Sequence, residues 1–323
     1  MITFQDALKT VTEKIADIRC SREPFALYEP VFYLLSLKGK KLRPALAILS
    51  ANLYKDDVES AIEPALAWEI FHNFTLMHDD VMDKADLRRG MPTVHKKWNE
   101  NTAILSGDAM LIISYMFMNK ADTKYLVPLL NLFSETALQI CEGQQFDMDF
   151  EKRLDVSEAE YLNMIRLKTA VMLGACLKTG AIIGEAPAGD ADKLYDFGLN
   201  LGIAFQIRDD LLDVYGNPET FGKKTGGDIL CNKKTWLLIN ALNSAEDEEK
   251  TELMKWLNTN GRDGEKIAAV RHIYDSLGLK EKANEAIEHY YRKADAALKK
   301  VEVDYNKKTV LFELANELTV REI

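Results

Sequence analysis

Two short acidic segments constrain this chain more than anything else in it: Asp79-Asp80-Val81-Met82-Asp83 and Asp209-Asp210-Leu211-Leu212-Asp213. Each lies in a stretch whose apolar spacing predicts helix. Successive helical residues turn by about 100°, so positions i and i+4 share a face. Asp79 therefore projects beside Asp83, and Asp209 beside Asp213. Like charges at that spacing destabilise an isolated helix by about a few tenths of a kcal/mol. A chain that carries the arrangement twice, among apolar neighbours such as Phe71, Leu76, Phe205 and Leu212, is expected to hold cations there. Mg2+ fits, because it is hard, prefers oxygen ligands and bridges a few carboxylates to substrate phosphates. The expected ligand is a diphosphate.

The rest of the sequence is helical in pattern. Phe4, Leu8, Val11, Ile15 and Ile18 form a stripe at spacings of three and four. Comparable patterns recur over 31–37, 42–53, 62–81, 102–118, 126–148, 157–183, 191–214 and 233–242. The segment 247–317 reads as three more amphipathic helices, broken at Asn260-Gly261 and Gly278. No segment alternates with period two. With 8 Pro and 17 Gly in 323 residues, and no Pro/Ser-rich linker, the prediction is one all-α domain spanning 1–323, a bundle of ten or more helices. The glycine-rich stretch 216–228, next to the second acidic segment, is expected to be a mobile cover over a site.

A net charge of −10 argues against nucleic acid as a partner, since that requires a basic face. Cys20, Cys141, Cys176 and Cys231 have no CxxC spacing and are expected to be reduced, mostly buried thiols of a cytoplasmic protein. The opening Met1-Ile2-Thr3-Phe4-Gln5-Asp6 lacks the basic start and apolar run of a secretion signal. The longest strongly apolar run, 109–118, is about half a membrane span, so no membrane-spanning segment is expected.

One DDxxD is weak, because in a helical acidic protein it is usually a solvated face. Its neighbours strengthen it. His72, Thr75, Asp79 and Asp83 fall at spacings of three, four and four, on one helical stripe, and Gln206 shares a face with the second acidic segment. Basic residues stand close by: Gly39-Lys40-Lys41-Leu42-Arg43-Pro44 before both segments, Arg88-Arg89 after the first, and Lys223-Lys224 and Lys233-Lys234 after the second. Together they supply what two diphosphates require, with metal for one and Arg and Lys for the other.

The order of these elements resembles the trans-prenyltransferases, the isoprenyl diphosphate synthases that condense head to tail. Gly39-Lys40-x-x-Arg43-Pro44 comes first, then His72, then the first DDxxD, then Leu87-Arg88-Arg89-Gly90. Gly143-Gln144, Lys168-Thr169 and Phe205-Gln206-x-x-Asp209-Asp210-x-x-Asp213 follow, and Gly222-Lys223, Gly227-Asp228 and Asn232-Lys233 complete the set. The match covers about residues 39 to 234 and leaves no element missing. The first motif lacks the two-residue insertion of many bacterial farnesyl synthases.

The resemblance implies an isoprenoid-synthase bundle around a deep cavity, with each role carried by a matching residue. Asp79 and Asp83 on one wall and Asp209 on the other would bind Mg2+ holding an allylic diphosphate, supported by Asp80 and Asp213. Arg88, Lys223 and Lys233 would contact that diphosphate. Lys40, Arg43, His72 and Arg89 would hold isopentenyl diphosphate. Lys168, Thr169 and Gln206 would lie beside the reacting carbons. A homodimer is implied as well. In the family the residues four and five before the first Asp, here Thr75 and Phe74, set the product length. One aromatic there fits farnesyl or, preferably, geranylgeranyl diphosphate over longer polyprenyl chains. Class I terpene cyclases share the first motif but replace the second, and take one substrate. Catalytically silent regulatory homologues normally lose one motif, and both are intact here.

Overall fold

The computed structural model describes residues 1–18, 23–216 and 225–319. The architecture is all-α, as predicted, with more than ten helices among the described residues. The described residues cluster into two compact units: those within Met1–Ser134, Ala175–Tyr195 and Glu302–Val310, and those within Glu135–Gly174, Asp196–Val301 and 311–319.

The first unit opens with α1 (Phe4–Ala16), whose start is fixed by a capping box: Thr3 and Asp6 satisfy each other's backbone N–H groups. The predicted stripe ends one turn early, since Asp17 caps the helix and Ile18 lies beyond it. Next come α2 (Phe25–Ser36), α3 (Leu42–Asn52) and α4 (Glu59–Met82). α4 is apolar nearly all round from Ala61 to Phe71 and is buried accordingly. Glu69 and Asn73, an i,i+4 pair, are buried with it, and Asn73 Nδ2 donates to Glu69 O at 2.8 Å and to Glu69 Oε1 at 3.2 Å.

A two-stranded hairpin, β1 (Leu87–Arg88) with β2 (Met91–Pro92), follows α4. It was invisible to period-two reading because each strand is two residues long. Its turn residues Arg89 and Gly90 both have positive φ, 55° and 79°, as a tight type I′ hairpin requires. The chain continues through α5 (Val94–Lys97), α6 (Glu100–Met118) and α7 (Thr123–Glu151). By length and composition alone α6 could cross a membrane, and about one third of its most apolar stretch is buried. It packs on α2, α4 and α5. Gly107 of α6 lets His78 of α4 approach, since a Cβ there would lie 2.2 Å from His78 Nε2.

The predicted helix over 157–183 is three elements: α8 (Glu158–Ile165), a π-helical turn at Arg166–Ala170, and α9 (Val171–Ile183). α8 starts at a Ser157/Glu160 capping box. After α10 (Ala188–Tyr215) come Gly227–Leu230, Trp236–Ser244, Asp247–Leu257, Asp263–Ser276, Leu279–Lys299 and Tyr305–Thr319. Among the described residues from 247 onward there are thus four helices, not three. The extra break follows Lys299, where Glu302 N–H donates to Asp190 Oδ2 across 112 residues. The second unit's core joins Tyr161, Ile165, Ile207, Leu211, Trp236 and Tyr274. Residues 217–224, which hold most of the expected cover loop with Lys223 and Lys224, lie outside the described residues, as does Cys20. Of the other cysteines only Cys176 is buried; Cys141 and Cys231 are exposed free thiols. This corrects the expectation of mostly buried thiols.

In the first unit α9 crosses α3 at its closest point through Gly180, where a Cβ would sit 2.0 Å from Ala47 O and 2.8 Å from Ser50 Cβ. Backbone cannot move aside as a side-chain tip can. Gly180→Ala should therefore cost about 2 kcal/mol or more and lower the thermal unfolding midpoint. A midpoint within about 2 °C of the parent would contradict this packing.

Candidate active site

Each acidic motif divides its three aspartates in the same way. On α4, Asp79 and Asp83 retain solvent access, while Asp80 is 2% exposed and turned into the protein. Arg88 Nε and Nη2 both donate to Asp80 Oδ1, at 3.0 and 2.6 Å. Burial raises the Asp80 pKa and the Arg88 charge opposes that. On α10, Asp209 and Asp213 retain solvent access and Asp210 is 3% exposed. Asp210 accepts from Tyr161 O–H at 2.5 Å, from Trp236 N–H at 2.8 Å and from Gln206 Nε2 at 3.2 Å. Burial, with Asp228 adding to it, still raises its pKa to about 7. Asp213 accepts from Asp228 N–H at 3.0 Å, and burial with Asp228 nearby raises it to about 6.

The outward carboxylates Asp79 and Asp83, and likewise Asp209 and Asp213, provide hard oxygen donors at one-turn spacing. That donor chemistry suits Mg2+ and is wrong for soft metals. Among the described residues no set of three or more His, Cys, Asp or Glu side chains is already closed into a metal site.

In the first unit the basic residues come together around the end of α2, the start of α3 and the hairpin. Gly39 allows this: a Cβ there would lie 2.7 Å from the Arg89 guanidinium carbon. Arg89 also donates to Leu37 O at 3.3 Å. Lys41, in the left-handed region at φ 44°, turns the chain into α3 so that Arg43 reaches α4. There Arg43 Nη1 lies 3.2 Å from His72 Nε2. A guanidinium can only donate, so Nε2 accepts and the proton sits on Nδ1. Burial first, then the charges of Arg43, Arg89 and Arg88, hold the His72 pKa well below the usual imidazole value. His72 is therefore neutral. Burial likewise lowers the pKa of Arg43 and of Arg89, while Glu69 pulls in the opposite sense on both. Of the predicted residues, Arg43, His72, Arg88 and Arg89 thus form one electropositive cluster. Lys40 is exposed at its edge in sequence. Glu69, the buried counter-charge of the cluster, escaped sequence reading, although it stands three residues before His72 on the same stripe.

In the second unit Lys168 and Thr169 lie in the π turn rather than in ordinary α-helix. π turns cluster at functional sites. This one is confined from two sides: a Cβ on Gly143 would be 2.2 Å from Lys168 N, and one on Gly202 would be 2.7 Å from Ala170 Cα. Thr169 Oγ1 donates to Gln206 Oε1 at 3.5 Å, so the three expected residues Lys168, Thr169 and Gln206 do come together. Lys168 Nζ pairs with Asp147 Oδ2 at 2.5 Å. Lys233 Nζ is 3.7 Å from Asp228 Oδ1. Burial alone would lower its pKa, but Asp228, Asp210, Asp147 and Asp209 raise it overall. Asp147, Tyr161 and Trp236 were not expected from sequence. Asp147 had one signal, its place one helical turn after Gly143.

A family model described as polyprenyl synthetase matches residues 24–277. The chain belongs to the polyprenyl synthetase family. A geranylgeranyl diphosphate synthase of Methanosarcina mazei is 36% identical over 330 residues, covering 100% of this chain and 99% of that one. A geranylfarnesyl diphosphate synthase of Natronomonas pharaonis is 35% identical, covering 82% of each chain. The crystal structure of a geranylgeranyl pyrophosphate synthase superposes with a TM-score of 0.94 at 44% identity, with 100% of both chains covered. This polyprenyl synthetase is a prenyltransferase, a trans-isoprenyl diphosphate synthase.

Proposed function

We propose that this enzyme condenses isopentenyl diphosphate head to tail with an allylic diphosphate, in a Mg2+-dependent reaction that yields geranylgeranyl diphosphate and diphosphate. The observation that carries this reading is the shared division of the two DDxxD motifs, with outer aspartates facing solvent and the middle one buried. On the family resemblance Asp79, Asp83 and Asp209 would be the Mg2+ ligands, with Asp80 and Asp213 in support. Mg2+ held there would supply positive charge against that developing on the departing diphosphate. Arg88 and Lys233 contact that diphosphate, and Lys223, outside the described residues, is assigned to it on sequence alone. As the allylic carbon–oxygen bond ionises, Lys168, Thr169 and Gln206 stand beside the carbocation, and hydroxyl and amide oxygens offer it negative potential. Arg43, neutral His72, Arg89 and Lys40 orient isopentenyl diphosphate, whose double bond supplies the electrons for the new carbon–carbon bond. Loss of a proton from the condensed carbocation to the released diphosphate, the acceptor that the family resemblance implies, restores a double bond and completes the step. The whole chain, 1–323, acts as one catalytic domain in the cytoplasm.

Asp79→Ala and Asp209→Ala should each lower kcat by about a hundredfold or more at saturating Mg2+ while preserving the helical circular dichroism. Arg43→Ala, measured in parallel, should raise KM for isopentenyl diphosphate more than KM for the allylic substrate. Near-parental turnover in both aspartate variants would remove the metal-ligand assignment, and equal KM effects in Arg43→Ala would remove the division of the basic residues.

Product length is assigned from Phe74. It lies five residues before Asp79, about 7.5 Å along α4. Its ring packs 4.8 Å from His78 and 5.5 Å from Phe71, which in turn meets Phe133 at 5.2 Å. The two aromatics Phe74 and Phe71 stand in series, the first partly exposed and the second buried. Thr75, by contrast, is small and turns its hydroxyl back to His72 O at 2.8 Å. By the family rule a growing prenyl chain is stopped at the position of Phe74, which lies to the side of the stripe shared by Thr75 and Asp79. Phe74→Ala should shift the products to longer chains, bounded by Phe71. Chromatography of the dephosphorylated products reads the outcome directly, and an unchanged spectrum would defeat the assignment.

We further propose a homodimer formed through α6. Leu105, Ile112 and Met116 lie on one exposed stripe, 60%, 60% and 42% accessible. Pairing with a second copy would remove that apolar surface from water. Sedimentation velocity at micromolar concentration should give a dimer, and Ile112→Glu a monomer. A parent chain that sediments as a monomer overturns the proposal.

A further inference from the structure

Lys168 is gripped twice by α7. Gly143 admits its main chain, and Asp147, one turn further along the same face, takes its ammonium at 2.5 Å. Both partners of this ion pair are largely withdrawn from water, with side-chain exposures of 22% for Lys168 and 19% for Asp147. Exposed ion pairs contribute little because solvent screens them and flexible side chains must be immobilised. This pair is mostly shielded, and its lysine sits on a π turn confined by Gly143 on one side and Gly202 on the other. Backbone and side chain of Lys168 are therefore both set before any substrate arrives. Asp147 also lies close enough to act electrostatically on Lys233 and Tyr161, within the same unit as the second acidic motif.

We propose that Asp147 is a positioning residue for the prenyl transfer, acting through Lys168: it preorganises the ammonium that stands beside the ionising allylic diphosphate. A long flexible lysine left without this partner would have to be ordered during the reaction, and the ordering would raise the barrier to the chemical step. The inference rests on the reading of Lys168 as a group beside the reacting carbons, and its test separates the two.

The experiment is a double-mutant cycle on the full-length chain: parent, Asp147→Asn, Lys168→Met and the double variant. Each is assayed with isopentenyl diphosphate and an allylic diphosphate at saturating Mg2+. Asp147→Asn should lower kcat by about tenfold or more with both KM values within about threefold of the parent. In the Lys168→Met background the same change should cost less than about twofold, because the group it acts through is gone. Losses that multiply across the cycle, or an Asp147→Asn variant with parental kcat, overturn the role of Asp147 while leaving Lys168 in place. Parental kcat in Lys168→Met overturns both. If Asp147→Asn does not fold, Asp147→Glu replaces it in the cycle under the same outcomes, since it keeps the charge and displaces it by one methylene.

Discussion

Two aspartates one helical turn apart can serve one ion only if the aspartate between them faces elsewhere. In a DDxxD segment the second carboxylate lies about 100° from the first, so a helix packed on one side must bury it. A buried carboxylate without partners is costly. The structure meets that requirement twice with different means: a guanidinium from the hairpin for Asp80, and a phenol, a backbone N–H and an amide for Asp210. The outward pairs are held in place by what their inward neighbour is bonded to. Much of the surrounding architecture follows. The hairpin must reach back to α4, and the helix beginning at Trp236 must present its first N–H to α10.

The same logic shapes the basic cluster. Arg43, Arg88 and Arg89 repel one another and keep His72 neutral, so the cluster is poised for an anion. It is moderated by one buried carboxylate, Glu69, which Asn73 also bonds. Backbone features bring these groups together: a glycine at 39 that accepts a guanidinium against its main chain, and left-handed residues at Lys41 and Arg89. Left-handed non-glycine residues store strain of about 1–3 kcal/mol each, and here both belong to segments that carry the side chains of the basic cluster.

Sequence alone revealed the helices, because apolar spacing of three and four reports directly on which face is buried. It also revealed the acidic and basic residues that gather in each unit, since helix geometry maps spacing onto a shared face. Several of the misses have long-range causes. The break after Lys299 has no glycine or proline, and its backbone is capped by Asp190, far away in sequence. Asp147 meets Lys168 only because α7 and the π turn touch at Gly143. Tyr161 and Trp236 looked like core residues, and they are, but each also has a polar group pointed at Asp210. Cys141 and Cys231 are exposed because a thiol's usual preference for burial does not decide which face of a helix it occupies.

The π turn at Arg166–Ala170 also has a consequence for how this part of the chain can vary. One residue more per turn than an α-helix shifts the angular phase of everything downstream by about 100° relative to an uninterrupted helix. α8, which buries Tyr161, Met164 and Ile165, and the first turn of α9 are thus out of phase. Deleting a single residue from the turn would restore regular α-helix locally, yet rotate Ala170 away from its close approach to Gly202. The turn's length is therefore fixed from outside itself. Away from Lys168 and Thr169, substitutions that respect volume can accumulate within it, whereas a change of one residue in length would have to be matched by a compensating change elsewhere in the same helix.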